Sequence, residues 1–164
     1  MTFATPINDR YFEDYIPGAV HEFGSVIAEE DEMVAFARRF DPQPFHTDPE
    51  KAKKSMFGAL IASGWYTASL AMRLKVDHFI SHVASLGSPG VDELRWLKPV
   101  FAGDTLSVRV TIIEAKRSSS KPDRGYVHML NEVLNQKREV VMTMKSGGFY
   151  LCRDRGASVQ DNNR

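Results

Sequence analysis

From Ala59 to Met72 the chain carries no charged side chain, and that stretch constrains the fold more than any other. It is too short to span a bilayer and is interrupted by Ser63, Gly64, Thr67 and Ser69. A helix starting near Ser63 or Gly64 and running to about Phe79 or Ile80 accommodates it. Its first half is uncharged on every face, which predicts burial on nearly all sides, and Arg73, Lys75 and Asp77 mark where it emerges into water. Strands follow. Gly90 to Val100 carries Val91, Leu94, Trp96 and Leu97, and Leu106, Val108, Val110 and Ile112 alternate cleanly, as a half-buried strand does. Tyr126 to Leu134 and Glu139 to Leu151 complete the set. A helix wrapped all round needs a sheet curled about it. The expected class is therefore α+β: a curved antiparallel sheet wrapped around a long central helix.

Ahead of that helix, residues 1 to about 18 form a lead-in, with Tyr11, Phe12, Tyr15 and Ile16 apolar enough to pack on the domain. Ala19 to Ile27 reads as a strand. Glu29, Glu30, Asp31 and Glu32 put negative charge where a helix N-terminus favours it, and Met33, Phe36, Ala37 and Phe40 follow at helical spacing. Pro42 ends that helix at Asp41.

The next ten residues, Phe40 to Pro49, contain three prolines. They fix φ at Pro42, Pro44 and Pro49 and push Asp41, Gln43 and Asp48 into extended conformations. The segment is expected to be stiff without being a regular helix or strand, with a polar helical turn after it from Pro49 to Lys54. Asp41 and His46 stand five positions apart on this support, flanked by Phe40 and Phe45. Two titratable groups at a fixed separation beside apolar rings suit acid–base chemistry. From spacing alone, a helix stop and a surface histidine account for the same residues.

Asp41-Pro42-Gln43-Pro44-Phe45-His46-Thr47-Asp48 resembles the hydratase motif of the MaoC-like (R)-specific enoyl-CoA hydratase/dehydratase family, usually written Asp-x-Asn-Pro-x-His. Phe57-Gly58-Ala59-Leu60-Ile61-Ala62-Ser63-Gly64-Trp65 is similar to that family's entry into its central helix, and the resemblance runs from about Val20 to about Leu151. It implies a hot-dog fold, with Asp41 and His46 as the catalytic pair. It also implies reversible hydration of a trans-2-enoyl thioester, or dehydration of the (R)-3-hydroxyacyl form, with no cofactor. Gly64 aligns with the family's oxyanion donor, where free N–H groups at a helix N-terminus meet the thioester oxygen. Its residues alone fit equally an N-cap, Ser63, followed by a tightly packed glycine.

Three departures from the family pattern bear on substrate. Gln43 replaces the usual Asn, Ser63-Gly64 replaces a His-Gly pair, and Met72 aligns with a helix serine of short-chain hydratases. Substrate-binding candidates are Ser63, Trp65, Tyr66 and Met72 along the acyl chain. Lys121 and Arg124, in the basic loop Lys116 to Arg124, are candidates for the phosphates of coenzyme A. Apolar helix residues are more often plain core, and a basic loop is usually only solvated. The rival functions are a thioesterase on the same fold and an acyl-CoA-binding protein without turnover.

Composition closes off other classes. The 164 residues suit one domain, with residues 153–164 expected to be a flexible tail. Formal net charge is zero, which argues against nonspecific binding to nucleic acid or to a membrane surface. No secretory leader is visible at residues 1–6. The single cysteine, Cys152, excludes an internal disulfide and fits a reducing cytosol. His21, His78, His82 and His128 show no metal spacing. An open sheet leaves an edge strand, so the chain is expected to pair as a homodimer or a dimer of dimers. The acyl group is carried by coenzyme A or by an acyl carrier protein.

Overall fold

Alternation makes β3, Thr105–Arg117, the spine of the molecule: Leu106, Val108, Val110 and Ile112 are all buried. The computed structural model describes residues 3–154. β1 is Val20–Ile27, β2 Val91–Trp96, β4 Arg124–Leu134 and β5 Val140–Leu151. They form one antiparallel five-stranded sheet in the order β1-β3-β4-β5-β2. The helices are α1 (Glu30–Phe40), α2 (Pro44–Thr47), α3 (Pro49–Lys53) and α4 (Gly64–His78). The α+β class and the antiparallel pairing match the expectation.

The wrapped helix does not. Among the described residues the sheet is open: β1 and β2 are edges, each with one neighbour. α4 lies chiefly against β1 and β3 and buries one face through Tyr66, Thr67, Ala71, Leu74 and Lys75. Trp65, Met72 and Val76 on its other face stay exposed. Absence of charge told which residues can be buried, not that a partner strand curls round to bury them. Close approach to β1 depends on Gly24, whose φ is +77°: a Cβ there would stand 2.7 Å from Leu74 Cδ2. The register shift between Phe23 and Val26 bends β1 at this point.

Two further expectations change. The proline segment is not irregular throughout: Gln43 and Asp48 are extended, but Pro44 begins the single helical turn α2, where a missing N–H is harmless. The lead-in packs as expected, with Tyr15 buried and its hydroxyl donating to the Phe79 carbonyl at 3.0 Å, although Ile16 faces solvent. The expected tail falls mostly on 155–164, outside the described residues. Arg153, at its start, pairs with Asp9 and Asp14.

Lys75 corrects the last expectation of the helix. It does not emerge into water: it is 4% exposed, and its ammonium lies 3.7 Å from the Met129 thioether. Burial lowers its pKa from 10.5 to about 8. The unfolded chain therefore holds the Lys75 proton between about pH 8 and 10.5 while the folded chain has lost it. Stability from this group rises with pH across that window. At pH 7 the buried charge costs about 3 kcal/mol, from a shift of 10.5 − 8 at ~1.4 kcal/mol per unit. Lys75→Met is expected to stabilise the fold by up to that amount at pH 7 in urea melts, with the advantage shrinking by pH 10. Parallel stability profiles of the two proteins across this range would contradict it.

Candidate active site

Asp41 is the C-cap of α1, its N–H bonded to the Ala37 carbonyl at 2.8 Å. Pro42 and Pro44 then carry the chain back on itself, so that His46 on α2 faces it. His46 Nε2 lies 3.3 Å from Asp41 Oδ2. His46 Nδ1 lies 2.8 Å from the Ile61 carbonyl. A carbonyl only accepts, so Nδ1 carries the hydrogen and Nε2 is the nitrogen that exchanges a proton toward Asp41. Ile61 is itself held by its N–H to the Phe45 carbonyl and by a bridge to Phe101. The imidazole, 6% exposed, is thus aimed from behind by backbone.

Both carboxylate oxygens of Asp41 are held. Gln43 Nε2 donates to Oδ1 at 2.7 Å, and Ser63 Oγ donates to Oδ2 at 2.7 Å. Burial pushes the Asp41 pKa up. The hydrogen bonds from Gln43 and Ser63 and the neighbouring His46 outweigh it and hold the group below the ordinary carboxylate value. Gln43, the departure from the usual Asn, therefore still reaches the carboxylate. Ser63 caps α4, accepting the Trp65 N–H at 3.3 Å.

Beside the pair opens a cavity of about 600 Å³. Phe40, Phe45, Phe57, Trp65 and Trp96 supply its aromatic walls, and Gly64 and Thr67 bring the start of α4 to it. Gly64 sits under an indole: Trp96 Nε1 donates to the Gly64 carbonyl at 2.9 Å, and a Cβ on Gly64 would lie 2.3 Å from Trp96 Cε2. The glycine is required by this packing. Trp96 also meets Trp65 edge to face, with centroids 5.2 Å apart, joining the chain's only two tryptophans. In the sequence Trp96 is distinguished only as a strand residue. The available signal was a glycine at a helix start, which needs a bulky neighbour as much as a ligand.

The structure brings together Asp41, His46, Ser63, Gly64 and Trp65. It does not bring the other candidates. Tyr66 is buried, its hydroxyl donating to Glu32 at 3.0 Å, and both burial and that carboxylate raise its pKa. Met72 is exposed on the outer face of α4, two turns from Gly64. Lys121 and Arg124 lie at the β3–β4 hairpin. Trp96 pairs with Met142 and Arg124 with Leu151, so ~30 Å of β5 separates them within one chain. Arg124 is moreover held by Asp123. The cations near the cavity are Lys98, paired with Glu139, and Arg39, stacked over the Phe40 ring. Among the described residues no group of His, Cys, Asp and Glu could hold a metal ion.

Comparison with known proteins fits this geometry. Residues 12–133 match the family model described as MaoC like domain. A solved MaoC-like dehydratase from Rhodospirillum rubrum is 37% identical, with a TM-score of 0.81 over 88% of this chain and 98% of that one. The 3R-hydroxyacyl-ACP dehydratase complex HadBC of Mycobacterium tuberculosis is 25% identical, with a TM-score of 0.65 over 82% of this chain and 96% of that one. Mesaconyl-CoA hydratase of Cereibacter sphaeroides is 42% identical over 81 residues, which span 49% of this chain but only 22% of that protein. With three quarters of its length inside the matching family model, and a solved dehydratase covered almost end to end, this chain belongs to the MaoC-like family.

Proposed function

We propose that the Asp41–His46 pair catalyses reversible hydration of a trans-2-enoyl thioester, and dehydration of the (R)-3-hydroxyacyl thioester. The observation that carries this reading is the facing of His46 Nε2 and Asp41 Oδ2 at 3.3 Å beside an apolar cavity, each group fixed from behind. A water held in the cavity against both groups gives its hydroxyl to C3 and one proton to the pair, and the pair returns a proton to C2. No net proton, electron or co-reactant is needed. Membership of the MaoC-like family, and relatives named as a 3R-hydroxyacyl-ACP dehydratase and a mesaconyl-CoA hydratase, support the same chemistry and a thioester substrate.

Charge builds on the thioester oxygen as C2 becomes nucleophilic. Gly64 is the first residue of α4, and its N–H has no acceptor one turn back within the helix. We place that N–H at the thioester oxygen. The Trp96 contact explains the missing side chain, and the backbone donor supplies the role.

Asp41→Asn and His46→Gln keep the shapes of their parents. Each is expected to lower kcat for hydration of crotonyl-CoA by at least ~10²-fold, the scale of a lost acid or base. The double variant is expected to be little worse than either single, because both groups act on one water. Near-normal turnover in either single variant would remove the assignment.

The assembly reading extends this one. Among the described residues edge strand β2 is unpaired on its outer side, and Val91, Trp96 and Leu97 are exposed near it, as are Trp65, Met72 and Val76 on α4. A second copy pairing here covers both the edge and the apolar face, giving a homodimer or a dimer of dimers. Sedimentation at micromolar concentration is expected to show a species at about twice 18.5 kDa or a larger even multiple. A single species at the monomer mass would contradict it.

A further inference from the structure

We propose that Ser63 is a positioning residue for Asp41, rather than a substrate contact. The inference rests on the hydratase reading only for its catalytic consequence. Its structural basis is a relay whose direction is fixed at every step. Trp65 N–H can only donate, and it donates to Ser63 Oγ at 3.3 Å. That leaves the hydroxyl hydrogen for Asp41 Oδ2, 2.7 Å away. The same Oδ2 faces His46 Nε2. Ser63 has no exposed surface, so its hydroxyl is not shared with bulk water. The start of α4 is thereby bonded to the end of α1 across 22 residues, and the carboxylate is oriented by the helix cap itself.

A cap alone needs only the bond from Trp65, which any small acceptor supplies. Donation to Asp41 is the additional act, and it acts on the carboxylate's protonation. Ser63 favours the ionised form, so its loss is expected to move Asp41 protonation to higher pH. The groups that face this carboxylate are His46 on α2 and Gln43 between α1 and α2, and the cavity wall adds Lys98, which Glu139 neutralises. None of these contacts runs through the Ser63 side chain.

The test is a titration of the Asp41 carboxyl carbon by NMR in wild type, Ser63→Ala and Ser63→Thr, read beside steady-state hydration of crotonyl-CoA. The expected result is a higher midpoint in Ser63→Ala and a return toward wild type in Ser63→Thr, whose hydroxyl both accepts and donates. In the assay, kcat is expected to fall roughly 10-fold or more in Ser63→Ala with KM little changed, and its acid limb to move up in pH. A substrate contact would instead raise KM and leave the midpoint alone. Ser63→Cys, a near isostere with a weak donor, gives the same comparison if the alanine variant does not fold. An unchanged Asp41 midpoint in a folded variant overturns the proposal. A wild-type protein that does not hydrate crotonyl-CoA, with the higher midpoint still seen in Ser63→Ala, removes the hydratase reading and leaves the positioning role standing.

Discussion

The hydrogen bond from Ser63 to Asp41 joins the fold to the site. On one side of it stands α4, placed by Gly24 against β1 and by Gly64 beneath Trp96. On the other stands the proline-stiffened link that turns Asp41 and His46 toward each other. Neither half makes a site alone. α1 delivers a carboxylate at its C-cap, where the helix's own carbonyls repel negative charge. Three compensations hold it there ionised: the Gln43 amide, the Ser63 hydroxyl and the His46 ring.

The histidine is fixed by a different device. Its Nδ1 is committed to the Ile61 carbonyl, a backbone acceptor in the connection that leads into α4. Aromatic side chains close the other walls, and low polarity around the pair strengthens its electrostatics. The interior shows a contrary choice at Lys75, an ammonium in the core that donates to the Met129 thioether. That residue weakens the fold at neutral pH, and the hydratase chemistry makes no use of it.

Local rules were legible in the sequence. Proline geometry sent Gln43 and Asp48 into extended conformations, and period-two alternation put Leu106 to Ile112 on the core face. The Asp41–His46 spacing, with its resemblance to a known motif, located the pair. What failed depended on contacts between distant residues. Charge at position 75 predicted solvent, yet the sheet covers Lys75. Lack of charge from Ala59 to Met72 predicts all-round burial, yet Trp65, despite its contact with Trp96, and Met72 stay exposed. Trp96 on Gly64 spans 32 residues and Ser63 on Asp41 spans 22, and no local pattern encodes either. Lys121 and Arg124 shared a charge logic with phosphate sites, but strand length carries them to the far end of the sheet.

Addition of water across a thioester-conjugated double bond is the chemistry proposed for this pair. The most direct measurement is mass analysis of crotonyl-CoA incubated with the protein in ¹⁸O-labelled water. The predicted result is an intact thioester heavier by one labelled water, with the label retained in the hydroxyacyl group. Release of free coenzyme A with the label in the carboxylic acid would mean hydrolysis, and an unaltered thioester would mean binding without turnover. Either would contradict the account.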